Sequence, residues 1–207
     1  MPGQPISLPM FMDYANERGP GRMSIVQQQR RRLEDPEQQA FHYYAPAVRN
    51  LPLAIASTDP EAVLDAMLTQ TTSTHQRQHH VELRDGMVAF IRKRHPSRVP
   101  VANGCQWVTP DLTVTIRQHV GIRMPDGSVS VVLLYLKQPP LTQDAANAGL
   151  RIIETQLAAL LAGGLPGVLD VRRAKIFALR RNANRRNLDA WLHGEAAGYA
   201  AHWAAAA

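Results

Sequence analysis

The amino-acid sequence predicts an α/β fold, a central mixed sheet of about four strands flanked by helices. Residues 129–136 (VSVVLLYL) are almost continuously apolar, which is typical of a strand buried on both faces. Residues 112–123 alternate between apolar and polar side chains, which predicts a half-buried strand. The sequence Pro-Asp-Gly-Ser at 125–128 predicts a turn between them. These observations predict an antiparallel hairpin whose second strand is central.

Helical patterns precede and follow this hairpin. Asp59 and Pro60 suit the N-cap and the first position of a helix. Residues 81–94 place apolar side chains on one face, and the long segment after Pro139-Pro140 has a similar apolar stripe. The predicted elements are helices from 59 and over 81–94, strands over 105–108, 112–123 and 129–136, a helix from 142 to about 162, a strand over 168–179 and a helix from 184 to about 200.

The first 58 residues are predicted to form an arm outside the packed domain. Residues 1–21 contain four prolines and three glycines, and their apolar residues show no sustained period. Residues 24–39 are polar and are followed by aromatic residues at 41, 43 and 44. Because a free coil rarely keeps such aromatics, we expect this arm to dock on the body or on a partner. The sequence thus divides into a partly irregular arm over 1–58 and an α/β domain over 59–207.

Composition limits the class of protein. The chain has 207 residues, of which 45% are hydrophobic, enough for the core of one domain and too many for a disordered or collagen-like chain. The single cysteine, Cys105, excludes an internal disulfide and a cysteine-only zinc site. No apolar run approaches the ~18 residues of a membrane span, and the N-terminus does not resemble a secretory signal. We therefore expect a cytoplasmic protein that does not associate with membranes.

Charge favours a polyanionic partner. The formal net charge is +6, and all but three of the basic residues are arginines, whose planar group can hold a phosphate through two hydrogen bonds. The densest basic stretch is not interrupted by an acidic residue and comprises Arg172, Arg173, Lys175, Arg180, Arg181, Arg185 and Arg186. This pattern predicts a surface that contacts a phosphate backbone. A solvated face or a docking site for an acidic protein is the alternative.

The histidines at 75, 79 and 80 are a possible metal site, because a four-residue spacing places two rings on one helix face. No cysteine or aspartate nearby completes a set of ligands, and the preceding sequence TQTTST is typical of a loop. We therefore interpret this stretch as a polar linker.

Two short motifs stand at the ends of predicted strands. Pro110-Asp111 stands at the start of the second predicted strand, and Tyr135-Leu136-Lys137 ends the third. With the order of elements over 81–179, these motifs resemble the PD-(D/E)XK nuclease-like superfamily, which has a restriction-endonuclease-like fold. The resemblance implies that Asp111 holds a divalent metal ion and that Lys137 positions or activates the attacking water. Such a cation neutralises the charge that grows on the phosphate during cleavage.

The sequence departs from this family at the acidic residue of the later motif, where Tyr135 stands. A phenol is a poor ligand for Mg²⁺ at neutral pH, so one carboxylate would hold the ion weakly. Glu82, on the preceding helix, or Glu154, on the following one, could supply a second carboxylate. From the residues alone, Asp111 also suits a turn after a proline and Lys137 a solvated strand end.

We therefore expect a nucleic-acid-binding protein of nuclease-like fold that is catalytically degenerate, with DNA favoured over RNA as its partner. No cofactor is expected in that case. One alternative is a non-enzymatic assembly or adaptor protein that docks its N-terminal arm and C-terminal helix on partner subunits or on a second copy of itself. The other is a nuclease that binds Mg²⁺ at Asp111 with Glu82 as the relocated acidic residue and Lys137 orienting the water.

Overall fold

A computed structural model of the chain describes residues 5–34, 40–71 and 73–206, with 40–42 described by their backbone alone. The α-helices in these ranges are α1 (Leu8–Asn16), α2 (Gly21–Glu34), α3 (Ala40–Ala56), α4 (Pro60–Thr69), α5 (Thr74–Arg94), α6 (Gln143–Leu160) and α7 (Arg185–Ala205). The strands are β1 (Ile6–Ser7), β2 (Ser97–Val99), β3 (Cys105–Val108), β4 (Thr113–Ile116), β5 (His119–Arg123), β6 (Val129–Tyr135), β7 (Leu165–Asp170) and β8 (Lys175–Phe177). A 3₁₀ turn over Val171–Arg173 joins the last two strands.

The centre of the fold is a five-stranded mixed sheet of order β2-β5-β6-β7-β8. The strands β6 and β7, which α6 connects, are parallel, whereas all other neighbouring pairs are antiparallel. In β6, Val131, Leu133 and Tyr135 face one hydrophobic core and Val132 and Leu134 face the other. The predictions of an α/β class and of a central strand buried on both faces are therefore confirmed.

Helices cover both faces of this sheet, so the chain forms three layers. The first core lies between the sheet and α1, α6 and α7, and includes the buried side chains of Phe11, Ile153 and Tyr199. The second core lies between the opposite face and α3, α4 and α5, and includes Leu51 and Phe90. α2 lies outside this arrangement, because it packs mainly against α7.

A second, three-stranded sheet of order β1-β4-β3 was not predicted. The predicted strand over 112–123 is two strands, β4 and β5, separated at Arg117 and Gln118. β4 pairs with β3 and β1, whereas β5 pairs with β6 in the larger sheet. The polar residues at 117–119 interrupt the apolar alternation at this point, which allows the chain to leave one sheet and enter the other. The predicted hairpin is therefore correct for β5 and β6 alone.

The N-terminal segment is part of the domain, which corrects the prediction of a separate arm over 1–58. Leu8, Phe11 and Tyr14 on α1 are fully buried, and β1 adds a parallel strand beside β4. Leu51 on α3 is equally buried in the second core. Prolines mislead here because one in the first turn of a helix, such as Pro9, removes no intrahelical hydrogen bond. Residues 1–4 and 35–39 of the expected arm, and the side chain of Phe41, lie outside the described part.

Aromatic residues of the N-terminal segment and of the C-terminal helix, the two parts that the adaptor alternative docks on partner subunits, have partners within the chain. The rings of Tyr14 and Tyr199 meet edge to face with their centroids 5.2 Å apart, and Trp203 stacks on Tyr199 at 6.1 Å. Phe11 lies 5.9 Å from Trp107. α1 and α7 therefore contribute to the same hydrophobic core of this domain.

Candidate nucleic-acid interface

The structure does not bring together the three residues predicted to be catalytic. Asp111 is exposed at the tip of the β3–β4 hairpin, in the three-stranded sheet. Lys137 follows β6 in the five-stranded sheet, and its Nζ lies 3.1 Å from Oδ2 of Asp13. Glu82 lies on α5 and forms an ion pair with Arg172. Each residue therefore has different neighbours, and Asp111 occupies the turn position that was its alternative interpretation.

The separation of β4 from β5 explains this result. Asp111 leads into β4, so it does not enter the strand that pairs with β6 and approaches Lys137. Glu154, the other possible acidic residue, is bound to Arg151 and Arg185. Among the residues that the structure describes, no three His, Cys, Asp or Glu side chains form a group that could hold a metal ion. The donor set does not fit the Mg²⁺ site that the resemblance implies.

Lys137 instead belongs to a polar cluster where the parallel strands β6 and β7 end. Tyr135 and Asp170 are register partners across these strands. The carboxylate of Asp170 is buried and accepts hydrogen bonds from the backbone N–H of Leu141 at 3.3 Å and from the guanidinium of Arg173 at 3.2 Å. Arg173 also donates to the carbonyl of Gln138 at 2.7 Å. The cluster thus fixes the loop between β6 and α6.

Burial raises the pKa of two groups in this cluster, Asp13 and Tyr135. Burial raises the pKa of Asp13, and the opposing charge of Lys137 only partly compensates. Burial also raises the pKa of Tyr135, and the carboxylates of Asp13 and Asp170 raise it further. Tyr135 is therefore a neutral phenol at physiological pH and no substitute for a metal-binding carboxylate. Sequence analysis missed Asp13 because it lay in the expected arm.

Three of the seven predicted nucleic-acid-binding residues have structural partners. The side chain of Arg172 is only 3% exposed and donates to the carbonyl of Leu136 at 3.0 Å. Arg173 bridges Asp170 and Gln138, as described above. Arg185 donates to the carbonyls of Arg180, Arg181 and Ala183 at 3.3, 2.9 and 3.0 Å, and also binds Glu154. These guanidiniums hold the loop before α7 and the 3₁₀ turn in place.

The other four residues are exposed. Lys175 lies with its Nζ 4.3 Å from the centroid of the Phe177 ring. Arg180, Arg181 and Arg186 form no ion pair with a carboxylate of the described residues. We refer to residues 178–186, which carry these three arginines, as the arginine loop. The guanidinium groups of these three arginines are exposed to solvent, whereas the backbone of the loop is held by the hydrogen bonds from Arg185.

The histidines at 75, 79 and 80 lie in a helix, which corrects the prediction of a polar linker. α5 begins at Thr74 because the side chain of Ser73 accepts a hydrogen bond from the N–H of Gln76 at 3.1 Å. His75 and His79 are consequently one turn apart on the same face, with their Nε2 atoms 3.3 Å apart. Such a distance would suit two nitrogen ligands of one tetrahedral zinc ion, and it also suits a hydrogen bond between the rings. The positions of the ring protons distinguish the two interpretations.

Arg172 determines that protonation. Its guanidinium lies 3.0 Å from Nδ1 of His79, and since a guanidinium can only donate, Nδ1 must accept. The ring proton of neutral His79 is then on Nε2, where it is donated to Nε2 of His75. The proton of His75 is left on Nδ1, 3.3 Å from the hydroxyl of Tyr43. The pair forms a directed hydrogen-bond chain, in which Nε2 of His79 has no lone pair for a metal.

We predict that the protein loses stability as the pH falls from 7.5 to 5. Burial lowers the pKa of His79, of His80, which is fully buried, and of His119. A histidine whose pKa is lowered by folding stabilises the fold above its ordinary value of about 6.5, and this contribution is lost as the pH falls through the lowered pKa. The midpoint of thermal unfolding, followed by circular dichroism, should therefore decrease over this range.

The contribution of His80 to this pH dependence can be separated from that of Asp13 with a variant. The raised pKa of Asp13 acts in the opposite direction, because its carboxyl binds a proton more readily when folded. His80→Gln retains a side-chain N–H that can donate to the carbonyl of Tyr43, the partner of His80 at 3.2 Å, and it does not titrate. The pH dependence of this variant should be weaker than that of the unaltered protein. Identical slopes would contradict the assignment to His80.

Two surface clefts complete the polar features. One, of about 530 Å³, lies at the β2–β5 edge and is lined by Arg98, Arg117 and His119. The other, of about 520 Å³, lies between the end of α1, the start of α6 and α7.

None of the described helices combines the length and apolar character needed to cross a membrane. Comparison of the chain with models of known protein families and with curated proteins finds no match.

Proposed function

We propose that this protein binds nucleic acid without cleaving it, through phosphate contacts made by the arginine loop. The observation that carries this proposal is that Arg180, Arg181 and Arg186 are exposed, without a carboxylate partner, on a loop whose backbone is bound by another arginine. Arginines in this state can hold phosphates through paired hydrogen bonds, with release of the counterions around the nucleic acid.

The internal contacts of the loop support binding as well as folding. Arg185 connects three carbonyls of the loop to Glu154 on α6, so the loop does not need to become ordered when a ligand binds. Binding by a preorganised loop retains more of the contact energy, because less side-chain and backbone freedom is lost. Arg151 strengthens this support, since it joins Glu154 to Asp189 on α7 with N–O distances of 2.6 and 2.7 Å.

Kinship with the PD-(D/E)XK nuclease-like superfamily is part of the proposal. Its support is the order of elements in the larger sheet: α5, the antiparallel strands β2, β5 and β6, then α6 and the parallel strand β7. β3 and β4 are inserted between the first two of these strands. The proposal that the protein does not cleave nucleic acid is supported by Tyr135, a neutral phenol at the acidic position of the motif, and by the position of Asp111 on another sheet.

The proposal predicts that removing the three free arginines weakens binding to nucleic acid at least tenfold. The variant is Arg180→Ala, Arg181→Ala and Arg186→Ala combined, and binding is measured by fluorescence anisotropy with a labelled DNA and an RNA of the same sequence. For duplex DNA, the slope of log affinity against log salt should become shallower by about 3, since each phosphate contact contributes about 0.9. We expect DNA to bind more tightly than RNA.

A control variant with the same change in net charge makes this test specific. Arg77, Arg94 and Arg123 are also exposed and form no ion pair with a described carboxylate, and they lie away from the arginine loop in the chain. Their combined replacement by alanine should reduce affinity much less. Equal losses in both triple variants would mean that net charge, not this loop, governs binding. No measurable binding by the unaltered protein would refute the proposed function.

A further inference from the structure

The cleft between α1, α6 and α7 combines an aromatic ring with polar groups. It has a volume of about 520 Å³ and is lined by side chains that include Asn16, Arg18, Arg22, Asp144, Asn147 and Trp191. These residues come from four helices, α1, α2, α6 and α7, and from the loop between α1 and α2. The size and the mixture of an aromatic surface with donors and acceptors are typical of sites for planar polar ligands.

Trp191 is held in a fixed orientation in this cleft. Its indole N–H donates to Oε1 of Glu195 at 3.1 Å, and Glu195 is 8% exposed. Arg22 neutralises this buried carboxylate at 3.0 Å and is itself fixed, because its Nε donates to the carbonyl of Glu17 at 2.9 Å. With its edge bound in this way, the indole does not need to be ordered by a ligand, and its ring contributes to the wall of the cleft.

Other groups of the cleft retain capacity for hydrogen bonds. The side-chain oxygen of Asn147 accepts from Gln143 at 2.9 Å, and that of Asn16 accepts from the hydroxyl of Thr142. In both amides, the NH₂ group is thereby left as a donor. Arg18 is exposed and forms no ion pair with a described carboxylate, whereas Asp144 supplies an acceptor. A nucleobase with its phosphate needs the same groups: an aromatic face, donors, an acceptor and a cation.

We propose that this cleft takes one unpaired base of a single-stranded nucleic acid, stacked on Trp191, with Arg18 contacting a neighbouring phosphate. This inference rests on the proposed function. Trp191 follows Arg186 by five residues on α7, which is about 7.5 Å along the helix axis. Because five residues also turn about 140° around an α-helix, one strand that contacts both the arginine loop and the cleft must curve around α7. A base paired within a duplex cannot enter the cleft, so the cleft gives the protein a preference for single strands.

The test compares a single-stranded oligothymidylate with a DNA duplex of the same length. Trp191→Leu should lower affinity for the single strand by about 5- to 150-fold, the loss that corresponds to about 1–3 kcal/mol for one stacked base. Affinity for the duplex should be unchanged. The single strand should also quench the tryptophan fluorescence of the unaltered protein, and Trp203→Phe should retain this quenching because Trp203 lies outside the cleft lining.

Asn147→Asp is a second variant that preserves the size of the side chain and adds a negative charge to the cleft. It should weaken single-strand binding selectively, and it remains informative if the leucine variant does not fold. Unchanged single-strand affinity in a folded cleft variant, or equal losses for single strand and duplex, would overturn the inference. If the arginine-loop variant loses binding while the cleft variants do not, the proposed function stands and the cleft proposal fails. If the unaltered protein binds neither probe, both fail.

Discussion

A chain that begins at Asp59 is expected not to fold. The truncation removes β1 and α1 to α3, and with them buried side chains from both cores. Leu8, Phe11, Met12 and Tyr14 are fully buried in the first core alone. At about 1.5–3 kcal/mol for each large buried side chain, these four contribute about 6–12 kcal/mol, which is comparable with the whole stability of a typical domain. Circular dichroism and urea unfolding of the truncated chain should show no cooperative transition.

A point substitution tests the same conclusion within the full-length chain. Phe11→Ala should lower the free energy of unfolding by about 3–5 kcal/mol, because it leaves a cavity beside Trp107. Gln28→Ala, on an exposed position of α2, should change it by less than about 0.5 kcal/mol. A truncated chain that unfolds cooperatively, at the urea concentration of the full-length protein, would show that the N-terminal segment is an arm after all.

The central layer was predictable from the sequence because burial there leaves a local pattern. β6 is apolar at every position from 131 to its end at 135, and the predicted helix from 142 corresponds to α6, which begins at Gln143 with Thr142 as its N-cap. The predicted helix from 184 likewise corresponds to α7, which begins at Arg185 with Asn184 as its N-cap. The N-terminal segment leaves a weaker pattern in the sequence, because β1 has only two residues and α3 contains Pro46 and Pro52.

The site was less predictable because its outcome depends on distant partners. Gln118 is the single polar residue that breaks the alternation of Leu112, Val114, Ile116, Val120 and Ile122. Since one polar position does not show where a strand ends, only the choice of neighbouring strand shows that Asp111 and Lys137 belong to different sheets. The arginines pose a similar problem. The carboxylate that binds Arg172 is 90 residues away and the one that binds Arg185 is 31 away. Charge density alone cannot distinguish cations that are bound in this way from those that remain free.

Gly86→Ala is expected to destabilise the protein by at least about 3 kcal/mol, or to prevent folding. Gly86 lies within α5, where the helix crosses the 3₁₀ turn. A Cβ atom at this position would lie 1.9 Å from the carbonyl oxygen of Val171 and 2.9 Å from backbone atoms of Arg172. Since these atoms belong to the backbone, no side chain can rotate away, and α5 itself must move. Urea unfolding would measure the loss.

Gly194→Ala is the matched control, because Gly194 is also inside a long helix, α7, but a Cβ atom there would meet nothing within 4 Å. Alanine is favoured over glycine within a helix by about 1 kcal/mol, so this variant should unfold at a higher urea concentration than the unaltered protein. The same preference acts at Gly86, where it offsets only a small part of the clash with Val171. Opposite signs for the two substitutions would therefore confirm that α5 packs closely against the 3₁₀ turn. A stabilising Gly86→Ala would show that Arg172, which this turn carries, is not held against α5 in the arrangement described above.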